Sequence, residues 1–201
     1  MIGIIDTGIN NLGSIYNCLN HLNLNYGIIK NKSDLLNYDS YILPGVGSYD
    51  AGIEALEQTG LYDAIKKIDF SKKKILGICL GMQLLCNSSD EGTKPGLGII
   101  DANIIHLKKL GCDSKIPHVG FNEIIYANKE STFLTKLLSR DFYFVHSYAA
   151  KINDKKILYA ATEYNDLQII AAINYKNIYA TQFHPEKSGI NGITIIKDIF
   201  G

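Results

Sequence analysis

At 201 residues with 46% hydrophobic content, the chain has the size of one domain, residues 1–201, with ample apolar material for a packed core. Its 20 Lys and Arg balance its 20 Asp and Glu, which argues against nucleic acid or another polyanion as partner. No apolar run has the length of a membrane span, and the chain opens on an apolar segment without a basic-then-apolar leader; no membrane association, a cytoplasmic location and reduced thiols are expected.

Residues 1–6 read as a central strand, and Thr7-Gly8-Ile9-Asn10-Asn11 as a turn at its carboxyl end. Asn11 or Ser14 is the candidate cap of a helix carried by Leu12, Ile15, Tyr16, Leu19 and Leu22. Residues 26–29 and 41–43 follow as short strands, with a brief helix capped by Ser33 between them. Two β-α-β crossings this early predict a parallel sheet with helices on both faces. Pro44-Gly45-Val46-Gly47 is a loop after a strand, and its two glycines permit unusual dihedrals and exposed N–H groups. Residues 48–56 and 61–68 read as helices.

Next comes Lys74-Ile75-Leu76-Gly77-Ile78-Cys79-Leu80-Gly81-Met82-Gln83-Leu84-Leu85. Its first half is a short buried strand and its second half opens a helix. Cys79 sits at the joint with glycines two residues to either side, the spacing of a nucleophile elbow. Such a turn places a thiol at a helix N-terminus, which favours thiolate, and aims the following N–H at a developing oxyanion. A buried structural cysteine in a strand-to-helix turn accounts for this stretch equally well at this point.

Residues 88–98 read as a polar surface loop and 99–107 as a strand. Residues 111–122 look irregular, as in a partner-facing loop. Residues 123–126 form a strand, 132–138 a short helix, and Phe142-Tyr143-Phe144-Val145-His146-Ser147-Tyr148 an aromatic strand ending in a polar triplet. Residues 157–162, 168–174 and 178–182 are short strands whose close spacing predicts antiparallel pairing. Residues 189–200 form the last helix.

His184-Pro185-Glu186 falls where a strand ends. Pro185 restricts both neighbours, a thiolate needs a base, and the base needs an orienting carboxylate. In open α/β sheets such residues gather at the carboxyl ends of strands. His21 and His106 suit surface or packing roles, and His118 lies in the irregular loop. His146 either lines a pocket with Ser147 and Tyr148 or ends a strand. Cys18, Cys79, Cys86 and Cys112 have no metal-ligand spacing, so no metal and no cofactor is expected.

Taken together, Gly77-Ile78-Cys79-Leu80-Gly81-Met82-Gln83 and His184-Pro185-Glu186 resemble the class I (triad) glutamine amidotransferases. Within that class, Ile5-Asp6-Thr7-Gly8-Ile9-Asn10-Asn11-Leu12, Pro44-Gly45-Val46-Gly47, Lys115-Ile116-Pro117-His118-Val119-Gly120-Phe121-Asn122 and Tyr143-Phe144-Val145-His146-Ser147-Tyr148 resemble the glutaminase subunit of imidazole glycerol phosphate synthase. The resemblance spans essentially the whole chain. It implies an α/β fold with an open, mostly parallel sheet, helices on both faces and a nucleophile elbow, plus antiparallel strands near the C-terminus.

The resemblance also implies Cys79 as nucleophile, His184 as base and acid, and Glu186 as the orienting carboxylate. It implies an oxyanion hole from Leu80 and the Gly45-Val46 peptide region, and a glutamine pocket from Gly47, Gln83, His146, Ser147 and Tyr148. It implies a heterodimer with a (β/α)8-barrel synthase subunit, docked through Asn11, Pro117, Phe121 and Lys187. That subunit uses the ammonia to make imidazole glycerol phosphate and AICAR in histidine biosynthesis. Two departures fall near the docking face: Thr7-Gly8-Ile9-Asn10-Asn11-Leu12 where the family reads Tyr-Gly-x-Gly-Asn-Leu, and Phe121 where it has Trp. The runner-up is a paralogous glutaminase feeding amidino-sugar assembly. A non-catalytic or redox-sensing α/β protein would explain the elbow but neither the His-Pro-Glu carboxylate nor the polar triplet.

Overall fold

The computed structural model describes residues 1–8, 12–128 and 131–201. In chain order the elements are β1 (Ile2–Ile5), α1 (Gly13–His21), β2 (Tyr26–Ile29), β3 (Ser40–Leu43), α2 (Tyr49–Gln58), α3 (Leu61–Lys66), β4 (Lys74–Ile78), α4 (Leu80–Leu85), β5 (Ser88–Ser89) and β6 (Ala102–His106). They continue with β7 (His118–Ala127), α5 (Thr132–Thr135), β8 (Asp141–His146), β9 (Tyr148–Ile152), β10 (Leu158–Tyr164), β11 (Leu167–Tyr175), β12 (Ile178–Thr181) and α6 (Gly189–Phe200).

A nine-stranded sheet runs β2-β1-β3-β4-β12-β11-β10-β7-β8, and β5-β6-β9 form a small second sheet. The parallel part, β2 to β12, is joined by apolar strands buried on both faces. From β12 to β8 every pairing is antiparallel. The antiparallel part is thus as wide as the parallel one, because β7 and β8 join it from mid-chain. Alternation along β1 splits its side chains between two cores. Ile2 and Ile4 pack with α1, α5 and α6, while Ile5 packs with α2, α3 and α4.

Two of the expected helix caps differ from the observed chain. Ser14 lies inside α1, whose N-cap is Leu12 without a side-chain hydrogen bond. Asn11, the other candidate cap, lies outside the described residues. Ser33 precedes a 3-10 turn but does not cap it; the Asp34 carboxylate instead accepts from the N–H groups of Lys30 and Asn31.

The stretch expected to be irregular, residues 111–122, ends in β7. Its alternation is inverted: Val119 and Phe121 point outward and are exposed, while His118, buried, and Asn122, half-buried, face the other way. The polar loop at 88–98 is anchored rather than free. Asp50 at the start of α2 accepts from the N–H groups of Thr93 and Lys94, and Leu97 is buried.

Candidate active site

Cys79 closes β4 and opens α4. Its N–H donates to Thr181 of β12 at 2.7 Å, and its carbonyl accepts from Gln83 at 3.2 Å, the first helical bond. To do both it adopts φ +52° and ψ −109°, a conformation costing a β-carbon-bearing residue about 1–3 kcal/mol. Glycines hold the turn closed. A Cβ on Gly81 would meet the Leu43 carbonyl oxygen at 1.8 Å, and one on Gly45 would meet Leu80 Cβ at 2.8 Å. The Gly-x-Cys-x-Gly spacing and the neighbouring Pro-Gly-x-Gly loop are therefore one packing unit.

His184 lies just beyond β12, which pairs in parallel with β4 in the register Thr181↔Ile78. Its N–H donates to Tyr143 O at 2.9 Å, and its carbonyl accepts the Ser188 hydroxyl at 2.6 Å. A 3-10 turn over Pro185–Lys187 then brings Glu186 back beneath the ring. Glu186 Oε1 lies 2.7 Å from His184 Nδ1, in a contact where the side chains are 3% and 5% exposed. Burial pulls His184 toward its neutral form, but its hydrogen bonds to Cys79 and Glu186 outweigh this and hold the imidazole up at about 9. With Nδ1 committed to Glu186, Nε2 is the nitrogen available to the thiol.

Cys79 Sγ has two further neighbours. Gln182 Nε2 donates to it at 3.7 Å, and the Val145 carbonyl lies at 4.0 Å. Gln182 Oε1 in turn accepts from Gln83 Nε2 at 3.2 Å, so a buried amide pair backs the sulfur. The other cysteines are all buried. Burial pushes Cys86 up to about 12, and burial with the Glu186 charge pushes Cys18 up to about 11.

The thiol opens onto a cavity of about 320 Å³ lined by Val46, Gly47, Cys79, Leu80, Gln83, Glu91, Val145, His146, Ser147, Tyr148 and His184. That is the size range of small-metabolite pockets. A larger cleft of about 500 Å³, between β9 and the β10–β11 pair, has no Cys, Ser, Thr, His or carboxylate in its lining. Every residue expected around the elbow except Gly45 and Glu186 borders the smaller cavity. Gly45 lies behind it against Leu80, and Glu186 lies behind His184. Gly47, at φ +91° with open space where a Cβ would be, forms part of the rim.

Three residues around the site were missed in the sequence. Glu91 borders the cavity, its carboxylate held by the Tyr49 N–H at 3.1 Å; burial raises this carboxyl above its usual range. Gln182 was read only as part of a strand. His118 is fully buried with Nδ1 3.0 Å from His146 Nε2. Of the expected docking residues, Pro117, Phe121 and Lys187 are exposed, Phe121 by 59%. Asn11 lies outside the described residues. Among the described residues no cluster of His, Cys, Asp or Glu has the makings of a metal site.

The chain matches the family model for class-I glutamine amidotransferases over residues 3–200. It is 41% identical over 205 residues to the imidazole glycerol phosphate synthase subunit HisH of Leptospira borgpetersenii, with 98% of each chain covered. It is 42% identical over 200 residues to the HisH subunit of Caldanaerobacter subterraneus, covering 98% of this chain and 96% of that one. A crystal structure of a glutamine amidotransferase superposes with a TM-score of 0.74 over 98% of both chains at 15% identity, a likeness of fold. The thiol elbow, the paired His and Glu, and the matched length agree: the chain belongs to the class-I glutamine amidotransferases and, within them, to the family of HisH subunits of imidazole glycerol phosphate synthase.

Proposed function

We propose that this chain hydrolyses glutamine to glutamate and ammonia at Cys79 and delivers the ammonia to a (β/α)8-barrel synthase subunit, which uses it to make imidazole glycerol phosphate and AICAR in histidine biosynthesis. One observation carries the chemistry: His184 is buried between Cys79 and Glu186, whose bonds to it favour the imidazolium formed when it takes the thiol proton, at the wall of a metabolite-sized cavity.

In the first half-reaction the Cys79 thiol loses its proton to His184 Nε2 and its sulfur attacks the carboxamide carbon. The resulting oxyanion is met by the Leu80 N–H and by a peptide N–H of the Gly45-Val46-Gly47 loop. On collapse the carboxamide nitrogen takes the proton from His184, the C–N bond breaks, ammonia departs and a γ-glutamyl thioester remains. In the second half-reaction His184 takes a proton from water, the hydroxide adds to the thioester, and glutamate departs as the proton returns to sulfur. Glu186 stabilises the imidazolium in both halves.

Gly47, Gln83, His146, Ser147 and Tyr148 hold the amino-acid end of glutamine, and the Glu91 carboxylate suits its α-ammonium group. The partner docks on the face bearing Pro117, Phe121 and Lys187, beside the exposed apolar side chains Val119 and Val145; Asn11, also expected to dock, lies outside the described residues.

The test is glutamate release by the purified chain, alone and with the histidine-pathway barrel subunit, with and without that subunit's nucleotide ligand, using Cys79→Ala as blank. Stimulation that disappears in the variant supports the full reading. Labelling of Cys79 by a diazoketone analogue of glutamine, without stimulation, keeps the glutaminase and moves the partner to amidino-sugar assembly. Absence of both release and labelling overturns the glutaminase.

A further inference from the structure

Behind the cavity a row of side chains runs from its wall, at the end of β8, to Asn122 on the neighbouring strand β7. His146 Nδ1 lies 2.8 Å from the Tyr148 carbonyl, bridging the turn at Ser147. Its Nε2 lies 3.0 Å from His118 Nδ1, and His118 Nε2 lies 2.9 Å from Asn122 Oδ1. The orientation of the Asn122 amide follows from chemistry: its nitrogen faces the Glu163 carbonyl at 3.1 Å, which can only accept. Oδ1 must therefore face His118.

The protons do not add up. The Tyr148 carbonyl accepts only, so His146 carries its proton on Nδ1 and presents a bare Nε2. Asn122 Oδ1 also accepts only. His118 is thus flanked by two acceptors, while a neutral imidazole has one N–H. The environment resists adding the missing proton. His118 is buried and stacked between Phe144 at 4.7 Å and Tyr164 at 4.1 Å, and burial lowers its basicity. Burial holds His146 down at about 3, with the His184 charge adding. The other titratable group against the pair, the Tyr164 hydroxyl, donates to the Lys115 carbonyl at 2.7 Å.

We propose that His118 is a positioning residue with two competing tautomers, one bonded to His146 and the pocket wall, the other to Asn122 on the partner-facing strand, so that events at β7 and at the pocket bias one another. The coupling to glutamine rests on the glutaminase reading. With the proton on Nδ1, His118 tethers His146 and with it the Val145–Tyr148 wall that faces the thiol. With the proton on Nε2, that tether is released and Asn122 is held instead. A partner resting on the outward side chains Val119 and Phe121 reaches Asn122 through the backbone of β7, and a displacement that lengthens the Asn122–His118 bond sends the proton back to the pocket side. Such a two-state element, biased from both ends, is what coupling between sites requires.

Ring ¹⁵N spectra of the full chain at neutral pH test the tautomers. Expected are a fractional population of both N–H forms at His118 in the wild type, a shift to the Nδ1–H form in Asn122→Ala, and Nδ1–H at His146 throughout. One His118 tautomer, unchanged between wild type and Asn122→Ala, or a doubly protonated His118 at neutral pH, overturns the proposal. The coupling is read from the labelling rate of Cys79 by a diazoketone glutamine analogue below saturation. Asn122→Ala is expected to speed it and His118→Phe to slow it, each by about fivefold. A change in the same direction in both variants makes His118 a packing residue and overturns the coupling. Absence of labelling in all chains, with the tautomers shifting as described, fails the glutaminase reading and leaves the tautomer assignment standing.

Discussion

Gly81 rests directly against the main chain of Leu43, so closely that a Cβ would fall 1.8 Å from the carbonyl oxygen. Backbone cannot swing aside as a side chain can. Gly81→Ala is expected to destabilise the chain by at least about 3 kcal/mol or to prevent folding, read from urea unfolding. Gly47→Ala meets no atom within 4 Å but must hold φ +91°, and should cost about 1 kcal/mol. Equal stability losses in the two variants would contradict the packing account of the elbow.

Glu186→Gln keeps the shape of the carboxylate and an oxygen for His184 Nδ1 while removing the charge. The expected outcome is a fall in kcat of about a hundredfold or more with KM for glutamine little changed, because the lost interaction matters when the imidazolium forms. His184 should also titrate below its value of about 9. Unaltered kcat would remove Glu186 from the triad.

Two histidines should shape stability against pH in opposite directions. Burial depresses His146 to about 3 from 6.5, so its contribution is present above 6.5 and is lost as pH falls toward 3. His184 is raised from 6.5 to about 9 by Cys79 and Glu186 against the effect of burial, so its contribution is full below 6.5 and is lost as pH rises through 9. Melting temperatures across this range should show His146→Gln flattening the acid limb and His184→Gln the alkaline limb. Parallel curves for all three proteins would refute the assignment.

Phe121 is 59% exposed and packs only its flank on Tyr143, with ring centroids 5.5 Å apart. Phe121→Ala should leave the melting temperature of the chain within a degree or two and weaken binding of the barrel subunit about tenfold or more, as measured by titration calorimetry. A marked loss of stability with unchanged affinity would make Phe121 a structural residue.

The elbow and the His-Pro-Glu turn were legible because each is local. Two glycines flank one cysteine, and a proline separates two functional side chains. The apolar runs of the parallel half were legible for the same reason. Gln182 was not, because it reaches Cys79 only through the pairing of β12 with β4, about a hundred residues away in sequence. Glu91 was hidden in a polar, glycine-rich stretch, and its position depends on the Tyr49 N–H at the start of another helix. The beginning of β7 was missed because its pattern is reversed. Apolar Val119 and Phe121 face out, and His118 with Asn122 faces the protein because each finds a polar partner there.

The placement of β12 has a consequence for the order of assembly. It is the last strand of the chain, yet it lies in the middle of the sheet and is the seam between the parallel strands before it and the antiparallel strands beyond. Cys79 is synthesised early, but the imidazole of His184 beside it arrives on the segment that closes that seam. A nascent chain that has made β1 to β4 and the hairpin strands holds two half-sheets with facing open edges and an elbow without a catalytic partner. Under the proposed mechanism glutamine is not consumed before that strand inserts, and its insertion is itself the step that arms the thiol.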